Sequence, residues 1–239
     1  MGTSVPSESS PVPATDEGNM TVWGVVVAGG LGRRFGAEKQ FLVLSGKPVH
    51  LWALEATRSV SDGVVLVVPP GREKDPELQA LADRVVAGGD TRAASVRAGL
   101  AAVPSEATII VVHDAVRPMA SAALFRAVVA AVAGGAAAAI PAVAVADTVK
   151  SVEDGIVRQT LDRSKLVRVQ TPQAFAASIL RQAHAVEADG TDDAAVVEAL
   201  GVEVVVVPGE DGNVKITSPD DLALLEWRLA STSPDRSPP

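Results

Sequence analysis

The sequence predicts an α/β fold: a three-layer, Rossmann-like domain on a mostly parallel sheet, with one β-hairpin arm projecting from it. Three observations carry that expectation. Valine- or alanine-rich apolar runs recur at 22–28, 64–69, 109–113, 136–141 and 204–207, each of a length that suits a buried strand. Segments with helical spacing or composition separate them, an alternation that yields parallel strands with helices on both faces. Two of the runs break into glycine or charge, at the carboxyl ends where open α/β sheets place their ligands.

The elements follow in order. Residues 1–20, MGTSVPSESSPVPATDEGNM, are rich in Ser, Pro and acid with little to bury, and 231–239, STSPDRSPP, repeat that character; both are expected to be disordered tails around a domain at 21–230. The first strand, 22–28, breaks into Gly29-Gly30-Leu31-Gly32, and the cations Arg33, Arg34 and Lys39 follow. A helix signal spans 48–59, and VVLVVP at 64–69 is the second strand. A short helix over 76–83 and a short strand over 84–87 lead to Gly88-Gly89-Asp90 and an alanine-rich helix over 92–102. IIVVH at 109–113 is the third strong strand; a helix over 121–133 and a strand over 136–141, ended by proline, come next. Residues 143–170 interrupt the alternation, because β-rich flanks around Asp154-Gly155 mark a hairpin and so an antiparallel arm. Helices over 176–188 and 192–200, a strand over 204–207 and a helix from Pro219 to about 229, with Ser218 as its N-cap, complete the chain.

Composition narrows the function. With 239 residues and 47% hydrophobic content the chain can bury one large core. A net charge of −8 and a pI near 4.9 give no basic footprint, so no nucleic-acid partner is expected. The absence of cysteine excludes disulfides, thiolate metal sites and a cysteine nucleophile. Neither a charge-free apolar run of ~18 residues nor a basic-then-apolar amino terminus is present, so the reading is a cytoplasmic protein with no membrane partner.

The first loop points to a polyphosphate. Glycines let backbone N–H groups approach an anion and make φ > 0 accessible, and the following cations add charge to such a nest. A dinucleotide fingerprint would need its third glycine one residue before Gly36, and a Walker loop is absent. An ordinary Gly-rich turn accounts for the glycines but not for the cations.

Three later segments share this placement. GGDTRAASVRAG, 88–99, makes a tight loop before a helix carrying Arg92 and Ser95, although Gly-Gly-Asp alone is also a plain turn. VVHDAVRP, 111–118, puts a histidine, an aspartate and an arginine at the end of a buried strand, where they have no core role. His113 reads as a hydrogen-bonding partner of nearby loop backbone rather than a metal ligand or base, and Asp114 as a partner for hydrated Mg²⁺ or a ribose hydroxyl. NVKITSPDDL, 213–222, places Lys215 in a short strand among apolar neighbours, where an inward lysine needs an anion such as phosphate. Arg158, Arg163, Lys165 and Arg168 read equally as a solvated charged face, and Asp192 and Asp193 as ordinary acids at a helix start.

GGLGRR followed by KQFLVLSGKPV resembles the signature of nucleotidyltransferases that join a sugar or polyol phosphate to a nucleoside triphosphate, most closely the family of cytidylyltransferases acting on 2-C-methyl-D-erythritol 4-phosphate. GGD, HDAVRP, QTPQAF at 170–175 and NVKIT extend the resemblance from about 22 to 229. The loop between Arg34 and Lys39 is shorter than in the family pattern, and Glu38 stands where proline usually precedes the lysine. The resemblance implies a nucleotidyltransferase fold and cytidylyl transfer from CTP to the polyol phosphate in non-mevalonate isoprenoid synthesis. A ribitol 5-phosphate enzyme is the near alternative, and a non-catalytic nucleotide-binding module the distant one. It implies that Arg34, Lys39 and Lys215 carry the catalytic charge. Ala28, Gly29, Gly30, Gly32, Gly89, Asp90, Ser95, Asp114 and Ala115 would hold the nucleotide, with Gly89, Asp90 and Ser95 reading cytosine. Arg117, Thr148, Arg163, Thr171 and Thr191 would hold the substrate, Thr148 and Arg163 reaching across a homodimer through the arm. Mg²⁺ or another divalent cation would lie at Asp114, directly or through water.

Overall fold

The computed structural model describes residues 20–30, 38–186 and 190–232. Most of both expected tails, together with Gly32, Arg33, Arg34 and Gly36, lies outside the described residues.

Strand β1 (Val22–Val27) is followed by a 3-10 turn (Lys39–Phe41) and a hairpin of β2 (Val43–Leu44) and β3 (Lys47–Pro48). This hairpin was not among the expected elements. Its corner, Ser45 at φ 48° and Gly46 at φ 79°, has both residues in the left-handed region that a type I′ turn requires. Next come α1 (Val49–Arg58), β4 (Gly63–Val68), α2 (Pro76–Gln79), β5 (Arg84–Ala87), α3 (Arg92–Ala102), β6 (Ile109–Asp114), α4 (Ala122–Ala133) and β7 (Ala138–Ala144). The helix expected over 76–83 stops early because the chain must turn back to β4: Asp83 receives Val64 N–H on its carboxylate at 2.8 Å and donates its own N–H to Val64 O at 3.1 Å.

The arm is β8 (Lys150–Glu153) and β9 (Ile156–Thr160), a separate antiparallel pair. Asp154 at φ 52° and Gly155 at φ 75° make the turn their sequence announced. A 3-10 turn (Arg163–Lys165), β10 (Val167–Val169), β11 (Gln173–Ala176), α5 (Ala177–Ala185), α6 (Asp193–Glu198), β12 (Val204–Pro208) and α7 (Pro219–Thr232) follow.

The main sheet runs β5-β4-β1-β6-β11-β7-β12, with β10 continuing the β11 side of β7 beyond a break at 170–172. It is parallel except for β10 and β11. Pro141, expected to end its strand, lies inside β7 and faces this break: Gln170 N–H donates to Pro141 O at 2.8 Å, so the missing proline N–H points where the neighbouring strand is interrupted. Alternate residues of β1 and β6 bury on opposite faces. Val25, Ile110 and Val112 pack with α3, α5 and α6; Ile109 and Val111 pack with α4, and Val26 packs with α1. A smaller cluster of Leu44, Val49, Ile216 and Leu225 seats α7 against the β2–β3 hairpin. Among the described residues no helix is long and apolar enough to cross a membrane.

Candidate active site

The chain leaves β1 toward β4 on one side and later returns to place β6 on the other, so the strand order reverses between β1 and β6. A cavity of about 500 Å³ opens beyond the carboxyl ends of these strands. Ala28, Gly29 and Gly30 line it from β1, Gly89 and Asp90 from β5, Arg92 and Ser95 from α3, and Asp114 from β6; Lys39, Gln40, Thr191 and Lys215 complete the wall.

Gly29, Gly30 and Gly89 belong to the described residues, whereas Gly32 does not. Neither Gly29 nor Gly30 has positive φ. The firmest steric demand is at Gly89, where a Cβ would sit 2.5 Å from the Ala94 Cβ, so the glycine lets the loop lie flat on the first turn of α3. Ser95, 3% exposed, braces this loop by accepting Gly89 N–H at 3.2 Å and donating to Thr91 O at 3.0 Å. Thr91 caps α3 by accepting Ala94 N–H at 3.0 Å.

A second cavity of about 250 Å³ adjoins the first, and the two share Arg92, Asp114, Thr191 and Lys215. Arg117 and Thr171 line the second one. Asp114, 6% exposed, stands in the shared wall between Arg92 Nε at 3.1 Å and Lys215 Nζ at 2.7 Å. Burial alone would raise its carboxyl pKa, but the nearby Arg92 and Lys215 charges hold it well below the usual carboxylate range. Arg92 also meets Asp193 Oδ2 at 2.8 Å, and Asp193 meets His184 Nε2 at 3.1 Å. Against the pull of burial, the two carboxylates raise the Arg92 pKa and keep the guanidinium charged.

This corrects two expectations. His113 and Asp114, expected to have no core role, are both buried, with partners that offset their desolvation. Lys215 lies in an extended segment without strand pairing, and the anion it meets is Asp114. Its placement comes from its neighbours: Ile216 is fully buried and donates its N–H to Val116 O at 2.9 Å, while Asn213 O accepts from Arg117 Nη1 at 2.9 Å.

Thr171 is 4% exposed and its hydroxyl is committed to the frame. It accepts Asp114 N–H at 3.0 Å and donates to His113 Nδ1 at 3.0 Å, because the other ring nitrogen faces the Arg117 carbonyl, which can only accept. That leaves the His113 proton on Nε2, which donates to Arg117 O at 3.2 Å, the loop-backbone bond expected for this histidine. Burial pulls the His113 pKa down to about 4, which fits the neutral ring. Burial also lowers the Arg117 pKa, with Asp114 opposing it. Ala115 lies outside both cavity walls, buried in the core with its N–H on Val27 O at 3.0 Å. Thr148 and Arg163 are exposed on the arm side and line neither cavity; Arg163 donates to Ala146 O.

Sequence reasoning named Arg92 without giving it a role. A signal was present: a cation in the first turn of a helix opposes the helix dipole, so it needs carboxylates of its own. Asp193, at a helix start, is the second of those carboxylates, and Gln40 carries no signal of its own inside the KQF segment.

A family model described as 2-C-methyl-D-erythritol 4-phosphate cytidylyltransferase matches residues 22–231. The bifunctional enzyme IspD/IspF of Anaeromyxobacter dehalogenans is 47% identical over 231 aligned positions, covering 88% of this chain and 58% of that protein. The chain spans 57–59% of the length of the bifunctional relatives it matches. The 2-C-methyl-D-erythritol 4-phosphate cytidylyltransferase of Streptomyces coelicolor is 44% identical over 226 positions, covering 86% of this chain and 84% of that one. The crystal structure of the enzyme of the same name from Thermus thermophilus superposes with a TM-score of 0.76 at 35% identity, over 88% of this chain and 100% of that one.

Proposed function

The chain belongs to the 2-C-methyl-D-erythritol 4-phosphate cytidylyltransferase family, and from that premise we propose that it transfers a cytidylyl group from CTP to 2-C-methyl-D-erythritol 4-phosphate in non-mevalonate isoprenoid synthesis. The observation that carries the reading is the pair of adjoining cavities with one shared wall of Arg92, Asp114, Thr191 and Lys215. Two anionic substrates, one in each cavity, would meet at that wall with cations between them.

In the reaction an oxygen of the polyol phosphate attacks the α-phosphorus of CTP. A new P–O bond forms as the bond to the β-phosphate bridging oxygen breaks, and pyrophosphate leaves with that electron pair. The attacking phosphate is already ionised at neutral pH, so no general base is required. The chain's task is to hold two anions together and to neutralise charge in the transition state. Lys39 and Lys215 suit that task from the cavity wall, with Arg34 from the loop outside the described residues. Asp90, beside the Ser95-braced loop, suits recognition of the cytosine amino group.

Magnesium belongs to the proposal. Among the described residues no three His, Cys, Asp or Glu groups converge to hold a metal ion. A single carboxylate, Asp114, together with substrate phosphates is the donor set that Mg²⁺ accepts, and both Asp114 oxygens already meet cations, which favours contact through water. When bound, the ion would neutralise charge on the triphosphate. A cytoplasmic homodimer completes the reading. Val152, Ile156, Val157 and Val167 are all about half exposed or more, an apolar surface that a second copy would cover while bringing Thr148 and Arg163 to the neighbouring polyol phosphate.

The test is pyrophosphate release with CTP against a panel of polyol phosphates. The expected result is the highest kcat/KM with 2-C-methyl-D-erythritol 4-phosphate and a large loss when UTP replaces CTP. Preference for ribitol 5-phosphate would move the assignment within the polyol-phosphate enzymes, and equal efficiency with UTP would overturn the cytidylyl assignment.

A further inference from the structure

Lys39 reaches the first cavity from a short turn, not from the sheet, so something must fix that turn relative to the strand end. Gly30 is the last described residue after β1, and Lys39 stands nine positions further along the chain. Gly30 is exposed, and among the described residues a Cβ built on it would meet nothing within 4 Å. The tie is the side chain of Gln40. Its amide Nε2 donates to Gly30 O at 2.9 Å across ten residues, and the side chain is only 2% exposed.

Gln40 is itself held from the rigid layer of helices. His50 on α1 donates from Nδ1 to Gln40 O at 3.0 Å, and burial lowers the His50 pKa, which keeps the ring neutral. Two further contacts seat the turn: the Phe41 ring packs edge-on against His50 with centroids 5.1 Å apart, and Val49 N–H donates to Leu42 O at 2.9 Å. The sequence of constraint therefore runs from α1 through His50 to the Gln40 backbone, and from the Gln40 amide to the end of β1. Lys39 is the residue caught between these two anchors, and Gly30, Lys39 and Gln40 all line the cavity.

We propose that Gln40 is a positioning residue for the transfer reaction, tying the end of β1 to the turn so that the Lys39 ammonium is already in place for the charge that develops on the phosphates. It acts through Lys39 and performs no chemistry of its own. The inference rests on the catalytic reading of Lys39 given above. Preorganisation of this kind lowers the barrier because the cation need not be reoriented as the reaction proceeds.

The test is a double-mutant cycle. Gln40→Met keeps the size and burial of the side chain but removes the donor to Gly30 O. It is expected to lower kcat on the order of 10- to 100-fold while the KM for the polyol phosphate stays near wild type. Lys39→Ala should lower kcat by at least as much, and the double variant should match Lys39→Ala alone to within about two-fold. Losses that multiply in the double variant, or wild-type kcat in Gln40→Met, would overturn the positioning role while leaving Lys39 in the mechanism. Wild-type turnover in Lys39→Ala would instead remove Lys39 and the proposal together. If Gln40→Met melts below the assay temperature, Gln40→Glu takes its place in the same cycle, with the same outcomes decisive, because it keeps size and polarity but turns oxygens toward the Gly30 carbonyl.

Discussion

Asp114 carries one negative charge and meets two cations in the wall that the two cavities share. With Lys215 at 2.7 Å and Arg92 at 3.1 Å, removing either cation shifts the load onto the other. Lys215→Ala is expected to lower kcat on the order of 100-fold with a smaller change in CTP binding, because the transition state carries charge that the ground state does not; steady-state kinetics with CTP titration checks this. Asp193→Ala should leave Arg92 with Asp114 alone and take the partner from His184, destabilising the fold by roughly 3 kcal/mol, read as a lower denaturant midpoint. His113 supplies a pH dependence with a definite sign. The unfolded imidazole titrates near 6.5 and burial pulls the folded one down to about 4, so the unfolded chain binds the proton first as pH falls. Its contribution is whole above the unfolded value and is lost as pH falls toward the folded one, on the order of 3 kcal/mol in all. Denaturation midpoints between pH 7.5 and 4.5 should fall in the wild type and fall less in His113→Phe. An unchanged slope in that variant would assign the effect to another group. Residue types at Asp114, Lys215 and Arg117 were legible from the motifs that hold them, whereas their pairing was not, because residues about a hundred positions apart meet only after folding.

At the scale of elements, the clearest sequence signal is the start of α7. Ser218 accepts Asp221 N–H at 3.4 Å, and the Asp221 carboxylate receives Thr217 N–H and Ser218 N–H at 2.8 Å each, a reciprocal cap written in S-P-D-D. These bonds lower the Asp221 pKa to about 2, against the opposing pull of desolvation. Asp221→Ala should cost about 1 kcal/mol. Because this cap fixes the chain two residues beyond Lys215, kcat should fall as well; thermal melts and kinetics together separate the two effects. The Asp154-Gly155 hairpin was equally legible, since a type I′ turn needs two left-handed residues and few pairs supply them. β11 was not. Four residues, Gln173–Ala176, with a buried glutamine and two alanines carry little strand signal of their own, and only hydrogen bonding to β6 on one side and β7 on the other makes them a strand.

For the whole molecule, the open question is where Thr148 and Arg163 act, since neither lines a cavity of its own chain. If the arm completes the site of a second copy, mixing inactive Lys39→Ala subunits with inactive Arg163→Ala subunits should restore part of the activity, because some mixed dimers would hold one intact site. Recovery of nothing despite demonstrated subunit exchange, or an active monomer in sedimentation, would mean that the arm serves its own subunit.

Sequence by itself determined the alternation of strands and helices, the direction of the sheet, the projecting arm and the segments that face the cavity. These follow from local periodicity, turn chemistry and the chemistry of short motifs, all of which act over a few neighbouring residues. Tertiary structure alone decided which charges pair. Arg92 divides itself between Asp114 and Asp193, Lys215 pairs with Asp114, and Gln40 bonds to Gly30 ten residues away. Each partner lies on a different element, and a buried charge or amide takes whatever complementary group the packing brings within about 3 Å. No window of sequence contains that distance.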